Sequence, residues 1–383
     1  GSMLAEASAA ICERVGPSGQ VVLVDMARET PRNSHKGRAP WKYHHWKNRD
    51  TRIAGNEGND STTSYKDRAT FVEVDHFEEW RSALHLTRDH MCNTSSATGA
   101  RDPPRLFNAL VVDVGPMVGN DLALTSVALV QEFLAQQKQM QQQSGCPGQS
   151  VYPRVVLLKS PSLSALARRL VHVSRILDGT QSFPRPDELV RTHQPHLIAT
   201  VGVEEYRKTI PHVVARGDAV LEVGCHFGTS TRLLHEAAGG PKKQEQQDNK
   251  VTQGKRGFCI GVDIGHRIIS HAKREHPQIP FAVGDAWRTA ELSRFRHDLL
   301  PCQGNSAGEI GYDVVYADIG GLSGPDGLLE SLALLESLGY ALEPRCIVIK
   351  SLCMQRLASS LRAFSDVWLR QRSAQKSGGY ACE

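Results

Sequence analysis

The chain repeats itself, and that repeat limits the folds open to it. Residues 111–130 (VVDVGPMVGNDLALTSVALV) align with residues 316–335 (YADIGGLSGPDGLLESLALL) at a constant offset of 205. Asp113 meets Asp318, Gly115 meets Gly320 and Gly119 meets Gly324. Asp121 then meets Asp326, Ser126 meets Ser331 and Ala128 meets Ala333. Each copy reads as a strand, a glycine-rich turn and a helix with apolar residues at helical spacing. A second matched pair follows: PRVVLLKS at 153–160 and PRCIVIKS at 344–351, both apolar strands that stop on a lysine. A Gln-rich insert at 136–150 delays the first of these.

Two shorter matches extend the repeat. GQVVLVDMA places Asp25 at a strand end, as FCIGVDIG places Asp263; FVEVD ends on Asp75, as FAVGD ends on Asp285. Strand and helix alternate through both halves, which predicts mostly parallel sheets with helices on both faces. The expected organisation is two tandem Rossmann-like α/β domains, 1–185 and 195–383, joined through the polar, proline-containing stretch 178–196. The copies are unequal. The second carries an early strand, DAVLEV at 218–223, with a glycine loop after it. The first opens inside the equivalent of the following helix, AEASAAICERV, and so lacks that strand and loop.

Length and composition agree with this plan. At about 100–200 residues per domain, 383 residues make two or three. Lys and Arg (45) exceed Asp and Glu (41) by only 4, a mild lean toward anionic partners. The nine cysteines form no CxxC pair, which predicts reduced thiols in an intracellular protein. No run of about 18 apolar residues predicts a membrane span. The opening Gly1-Ser2-Met3 reads as a vector-derived scar, so any targeting peptide would be missing and no compartment is assigned. His44 and His45 are adjacent without a partner motif, and no metal is expected.

The chemistry concentrates in VLEVGCHFGTSTRLL, 220–234, a strand, a tight loop and a helix. Gly224 and Gly228 let the backbone pass close beneath a ligand. The helix opening near Thr229 offers free N–H groups. The run is neither the G-x-G-x-x-G of a dinucleotide site nor the G-K-[ST] of a phosphate loop. Glu222, just before the loop, repels pyrophosphate and suits an ammonium group. Asp263 can accept both hydroxyls of a ribose. In GDAW, Asp285 can hold an adenine amino group and Trp287 can stack on the base, with Ala286 between them.

LEVGCHFGTST, GVDIG, VGDAW and YDVVYADIGG resemble, in order, the motifs of class I S-adenosylmethionine-dependent methyltransferases. The resemblance covers about 200–350 and implies that fold and S-adenosyl-L-methionine as cofactor. The cofactor residues it implies are Glu222, Gly224, Gly228, Thr229, Asp263, Asp285, Ala286 and Trp287. Within the superfamily, the lysine-ending strand is similar to that of ribose 2′-O-methyltransferases of the fibrillarin and FtsJ type, whose Lys-Asp-Lys core activates a ribose hydroxyl. That likeness implies Lys208, Asp318 and Lys350 as the catalytic set. The chain departs from it in the turn after Asp318. At the end, KSGGYACE, it matches no fourth polar residue.

An RNA substrate would fit one further segment. From Arg28 to Arg49 the chain carries seven Lys/Arg against one Glu, interleaved with aromatic residues. Lys42 and Lys47 can neutralise phosphates while Trp41 and Trp46 stack on unpaired bases. The first domain then reads as a degenerate copy that helps hold RNA. A small-molecule O-, N- or S-methyltransferase remains the alternative, since fold does not fix substrate. A non-catalytic scaffold is the third reading. Oligomeric state is not legible.

Overall fold

The structure, a computed structural model, describes residues 21–26, 69–74, 107–112, 122–144, 152–180, 183–241, 257–300, 311–320, 327–364 and 366. Lys42, Trp41, Trp46, Lys47 and Asp113 lie outside them. The chain divides into two compact units, residues 1–111 with 129–157, and residues 112–128 with 158–383.

In the first unit, β1 (Val21–Met26) pairs in parallel with β2 (Ala69–Val74), Asp25 opposite Glu73. β3 (Ala109–Val112) and β4 (Val155–Leu158) form a second two-stranded pair. α1 (Leu122–Ser144) lies between β3 and β4 in the chain. Phe107 packs on Phe133 with ring centroids 5.6 Å apart.

The second unit is built on a seven-stranded sheet. Its strands are β5 (Leu170–His172), β6 (His196–Thr200), β7 (Ala219–Val223), β8 (Phe258–Asp263), β9 (Phe281–Val283), β10 (Val314–Ala317) and β11 (Cys346–Lys350). Their spatial order is β5-β6-β11-β10-β7-β8-β9, and every pairing is parallel. The order turns at β7, so the chain lays β8 and β9 to one side and β10 and β11 to the other. The sheet also runs across the join read from sequence. β5, which precedes that join, pairs with β6, Leu170 opposite Leu197. The polar stretch between them is a connection within this unit, held by the buried apolar side chains of both strands.

Helices cover both faces, as an all-parallel sheet requires. One face carries α2 (Pro161–Arg169), α8 (Thr289–Leu299), α9 (Leu328–Leu342) and α10 (Leu352–Ser360), packed on Leu221, Val315, Ala317, Ile347 and Ile349. The other carries α3 (Val173–Leu177), α4 (Val203–Lys208), α5 (Ile210–Val213) and α6 (Thr229–Ala237), packed on Val220, Val314, Tyr316 and Val348. α7 (His266–Glu275) closes a smaller cluster with Phe281. Because β7, β10 and β11 are buried on both sides, they read as mainly apolar runs, broken only by Glu222 in β7 and ended by Lys350 in β11, rather than alternating ones.

The two lysine-ending strands share their sequel. Ser160 caps α2 by accepting from the Leu163 N–H, and Ser351 caps α10 by accepting from the Met354 N–H. Both helices are nine residues long and both leave in extended conformation.

At the amino edge, Arg345 grips Asp218, with Nη1 2.9 Å from Oδ1 and Nη2 2.5 Å from Oδ2, while Nη2 also reaches the Val213 carbonyl. Both side chains are about nine-tenths buried or more, at 6% and 10% exposed. Removing one partner of such a pair strands the other charge without water, which costs about 3–5 kcal/mol. Arg345→Ala should lower the unfolding free energy obtained from urea titration by that amount. A change under about 0.5 kcal/mol would show the pair to be incidental.

Candidate functional site

Parallel strands all finish at one edge, and the candidate residues collect there. β7 runs into the glycine loop. Gly224 has φ +80°, and a Cβ on it would stand 2.0 Å from the Asp318 carbonyl oxygen. The loop therefore passes tightly over the end of β10. Gly228, φ +81°, sits at the head of α6, where a Cβ would strike the Phe281 ring at 2.6 Å. Thr229 then opens α6 and is exposed. Its first turn presents N–H groups that have no intrahelical acceptor.

Asp263 ends β8 and braces the loop. Its Oδ2 accepts from the His226 N–H at 3.1 Å and its Oδ1 from the Gly265 N–H at 2.9 Å. A carboxylate has about four acceptor sites, so both oxygens keep capacity for a ligand. Asp285, past β9, accepts from the Trp287 N–H at 3.0 Å. Ala286 packs against the core, while Trp287 is 47% exposed. Ile264, next to Asp263, is 72% exposed and Phe227, next to Gly228, is 41% exposed. Exposed apolar side chains on three successive strand-end loops suit the faces of a planar ring.

Lys350 ends β11, and Asp318 follows directly on the neighbouring strand β10. Lys350 Nζ lies 2.5 Å from both carboxylate oxygens of Asp318. The side chains are 18% and 22% exposed, so the pair opens toward solvent where the Arg345–Asp218 pair does not. A lysine can end a buried strand because it leaves the sheet at this edge and meets an anion there.

Glu222 is placed differently from the sequence reading. It is 2% exposed, and both oxygens meet hydroxyl groups: Thr231 donates at 2.5 Å and Tyr206 at 3.3 Å. Burial pushes its carboxyl up, opposed by the Thr231 hydroxyl and reinforced by the Asp318 charge, to about 8. It lies beneath the loop rather than open beside it.

Lys208 also has another partner. It is exposed on α4, 2.7 Å from Glu204 Oε1, and no contact among the described residues joins it to the Lys350–Asp318 pair. Tyr206 is the α4 residue turned into the core, so Lys208, two positions on, faces away. Arg207 reaches the loop instead, its Nε donating to Ser230 Oγ at 3.0 Å in the first turn of α6. The sequence signal for Arg207 and Tyr206 was the helical phase of EEYRK. In the first repeat Lys159 is exposed, and its N–H donates to the Val112 carbonyl. Among the described residues no group of three or more His, Cys, Asp or Glu is placed to hold a metal ion, and no helix is long and apolar enough to cross a membrane.

Gly224 provides a direct test of the loop. Gly224→Ala combines a left-handed φ with a backbone collision and should cost well over the ~1–2 kcal/mol of the conformation alone. Gly320→Ala has nothing within 4 Å of the new Cβ and should stay within about 0.5 kcal/mol. Equal melting temperatures for the two variants would contradict the tight loop.

No family model matches the chain, and no curated protein does. Solved structures do. A TehB-like S-adenosylmethionine-dependent methyltransferase from Corynebacterium glutamicum is 15% identical over 52% of this chain and 82% of that one, TM-score 0.25. Aeropyrum pernix fibrillarin, with natively bound S-adenosyl-L-methionine, is 18% identical over 32% of this chain and 42% of that one, TM-score 0.20. The trans-methyltransferase CalH, with S-adenosylhomocysteine, is 18% identical over 37% and 33%, TM-score 0.23. Of these last two the chain spans less than half the length. The structures it is similar to are thus S-adenosylmethionine-dependent methyltransferases, matched in part, and the α/β fold of this chain is read from its own sheet order.

Proposed function

We propose that the chain is an S-adenosylmethionine-dependent methyltransferase whose acceptor is a ribose 2′-hydroxyl of RNA. The observation that carries this is the Lys350–Asp318 pair, standing at the same strand edge as the glycine loop and Asp263. The residues fit the cofactor. The Gly224 approach leaves no room for a side chain, as a backbone cradle requires. Asp263 would hold the ribose hydroxyls, Asp285 the adenine amino group, and Trp287, Ile264 and Phe227 the faces of the base.

When bound, S-adenosylmethionine supplies an electrophilic methyl group on a sulfonium centre. The chain's own part is to prepare the acceptor. Asp318 takes the hydroxyl proton on a carboxylate oxygen, and the Lys350 ammonium holds the charge growing on the acceptor oxygen. The exposed apolar rim limits water at the cofactor side. Lys208, as part of the catalytic set, would have to leave Glu204 to take part.

The tandem arrangement belongs to this reading. In β1–β2, Asp25 pairs with Glu73, two residues before Asp75; in β8–β9, Asp263 pairs with Val283, two residues before Asp285. The serine caps of α2 and α10 repeat as well. These matched registers support a first copy related to the second, serving to hold RNA through Trp41, Lys42, Trp46 and Lys47. The small excess of 4 basic residues favours a small-molecule acceptor instead.

Transfer of labelled methyl groups separates these. With structured RNA, the product should be an alkali-stable dinucleotide. Label on small molecules alone would move the assignment to them, and no transfer to any acceptor would favour a scaffold. Asp263→Ala should weaken cofactor binding at least tenfold, about 1.4 kcal/mol. Lys350→Ala should leave affinity within about twofold while turnover falls by roughly 10²–10⁴. Equal loss of both in Lys350→Ala would make the pair structural.

A further inference from the structure

Two carboxyl groups are buried among the described residues, and they are treated oppositely. Asp218 is answered by the Arg345 guanidinium. Glu222 is answered by two neutral hydroxyls. The groups that face it offer little charge to hold it ionised. From α4 come Tyr206 and Arg207, the latter with its Nε committed to Ser230; from β10 come Tyr316 and the Asp318 carboxylate; from the loop and β8 come Cys225 and Cys259. Lys350, the other nearby strand-end cation, is held by Asp318. A carboxylate stripped of water with a like charge beside it and no cation of its own takes a proton.

We infer that Glu222 is a positioning residue that releases its proton to solvent when the ligand binds: neutral in the ligand-free protein, it ionises when a cation occupies the loop above it. This rests on the cofactor reading. S-adenosylmethionine brings both a sulfonium and an ammonium, and Gly224 stands two residues beyond Glu222. The balance is simple. The Glu222 carboxylic acid loses its O–H proton to solvent, and the carboxylate left behind keeps the Thr231 and Tyr206 hydroxyls as donors. Methyl transfer turns the sulfonium into a neutral thioether, so Glu222 is less strongly ionised beneath S-adenosylhomocysteine. Proton release thereby distinguishes substrate from product at a residue buried beneath the loop.

The sign follows from the ordering of the two states. Below about 8 the ligand-free carboxyl is protonated, and binding must expel that proton. Affinity therefore rises with pH, by up to about tenfold per unit, and levels off once the ligand-free carboxyl ionises by itself near 8.

The test is calorimetry of S-adenosylmethionine with the full chain near pH 7, in two buffers of different ionisation enthalpy. Release approaching one proton per ligand is expected, with less for S-adenosylhomocysteine. Glu222→Gln, which keeps both hydroxyl partners, should bind with no release and a flat pH profile. Binding without proton release, or release that survives Glu222→Gln, would overturn the inference while leaving the cofactor reading intact. Infrared spectra of the ligand-free wild type give a separate check. A protonated-carboxyl band at pH 7 that is missing in Glu222→Gln is expected. Its absence from the wild type would overturn the inference even if no ligand bound, a result that would also end the cofactor reading.

Discussion

In a sheet whose strands all run the same way, every strand spends its polar end on one edge. That constraint organises the second unit. β7, β10 and β11 are buried on both faces, so apolar side chains fill their interiors with Glu222 of β7 as the exception, and the other charges collect at the ends. Seven parallel strands place Lys350, Asp318, Gly224, Asp263 and Asp285 along a single rim, although they lie up to 126 residues apart in the chain (350 − 224).

The two edges use charge differently. At the amino edge Arg345 and Asp218 satisfy one another, with Val213 taking a further donor, and water is nearly absent. Such a pair fixes how β11 meets the α5–β7 turn. At the carboxyl edge Lys350 and Asp318 pair with more exposure and leave acceptor capacity unused. Beneath the loop, Glu222 has hydroxyls in place of a cation, and burial disfavours its ionised form. Only the first of these three carboxyl environments is explained by folding alone.

Much of this was legible in the chain because local signals and topology agreed. Strand ends at Asp263, Asp285, Asp318 and Lys350 follow from apolar runs that stop on a charge. The loop follows from Gly224 and Gly228. What was not legible depended on pairing between distant segments. β5 and β6 complete the sheet beside β11, and nothing local in LVH or HLIAT announces that neighbour. Lys208 was implied by the family likeness, but a helix turns 100° per residue, and the phase set by buried Tyr206 brings Arg207 to the loop. Glu222 was legible as a carboxylate just before the loop, but its burial was not. Its burial comes from Tyr206 and Thr231, sixteen residues before it and nine after.

The central claim is that the rim of the seven-stranded sheet binds S-adenosylmethionine. Photo-crosslinking with methyl-labelled S-adenosylmethionine, followed by peptide mapping, tests it most directly. The account predicts label within 224–231, 263–268 or 285–288, competed by S-adenosylhomocysteine. Label confined to other peptides, or no competable label, would contradict it.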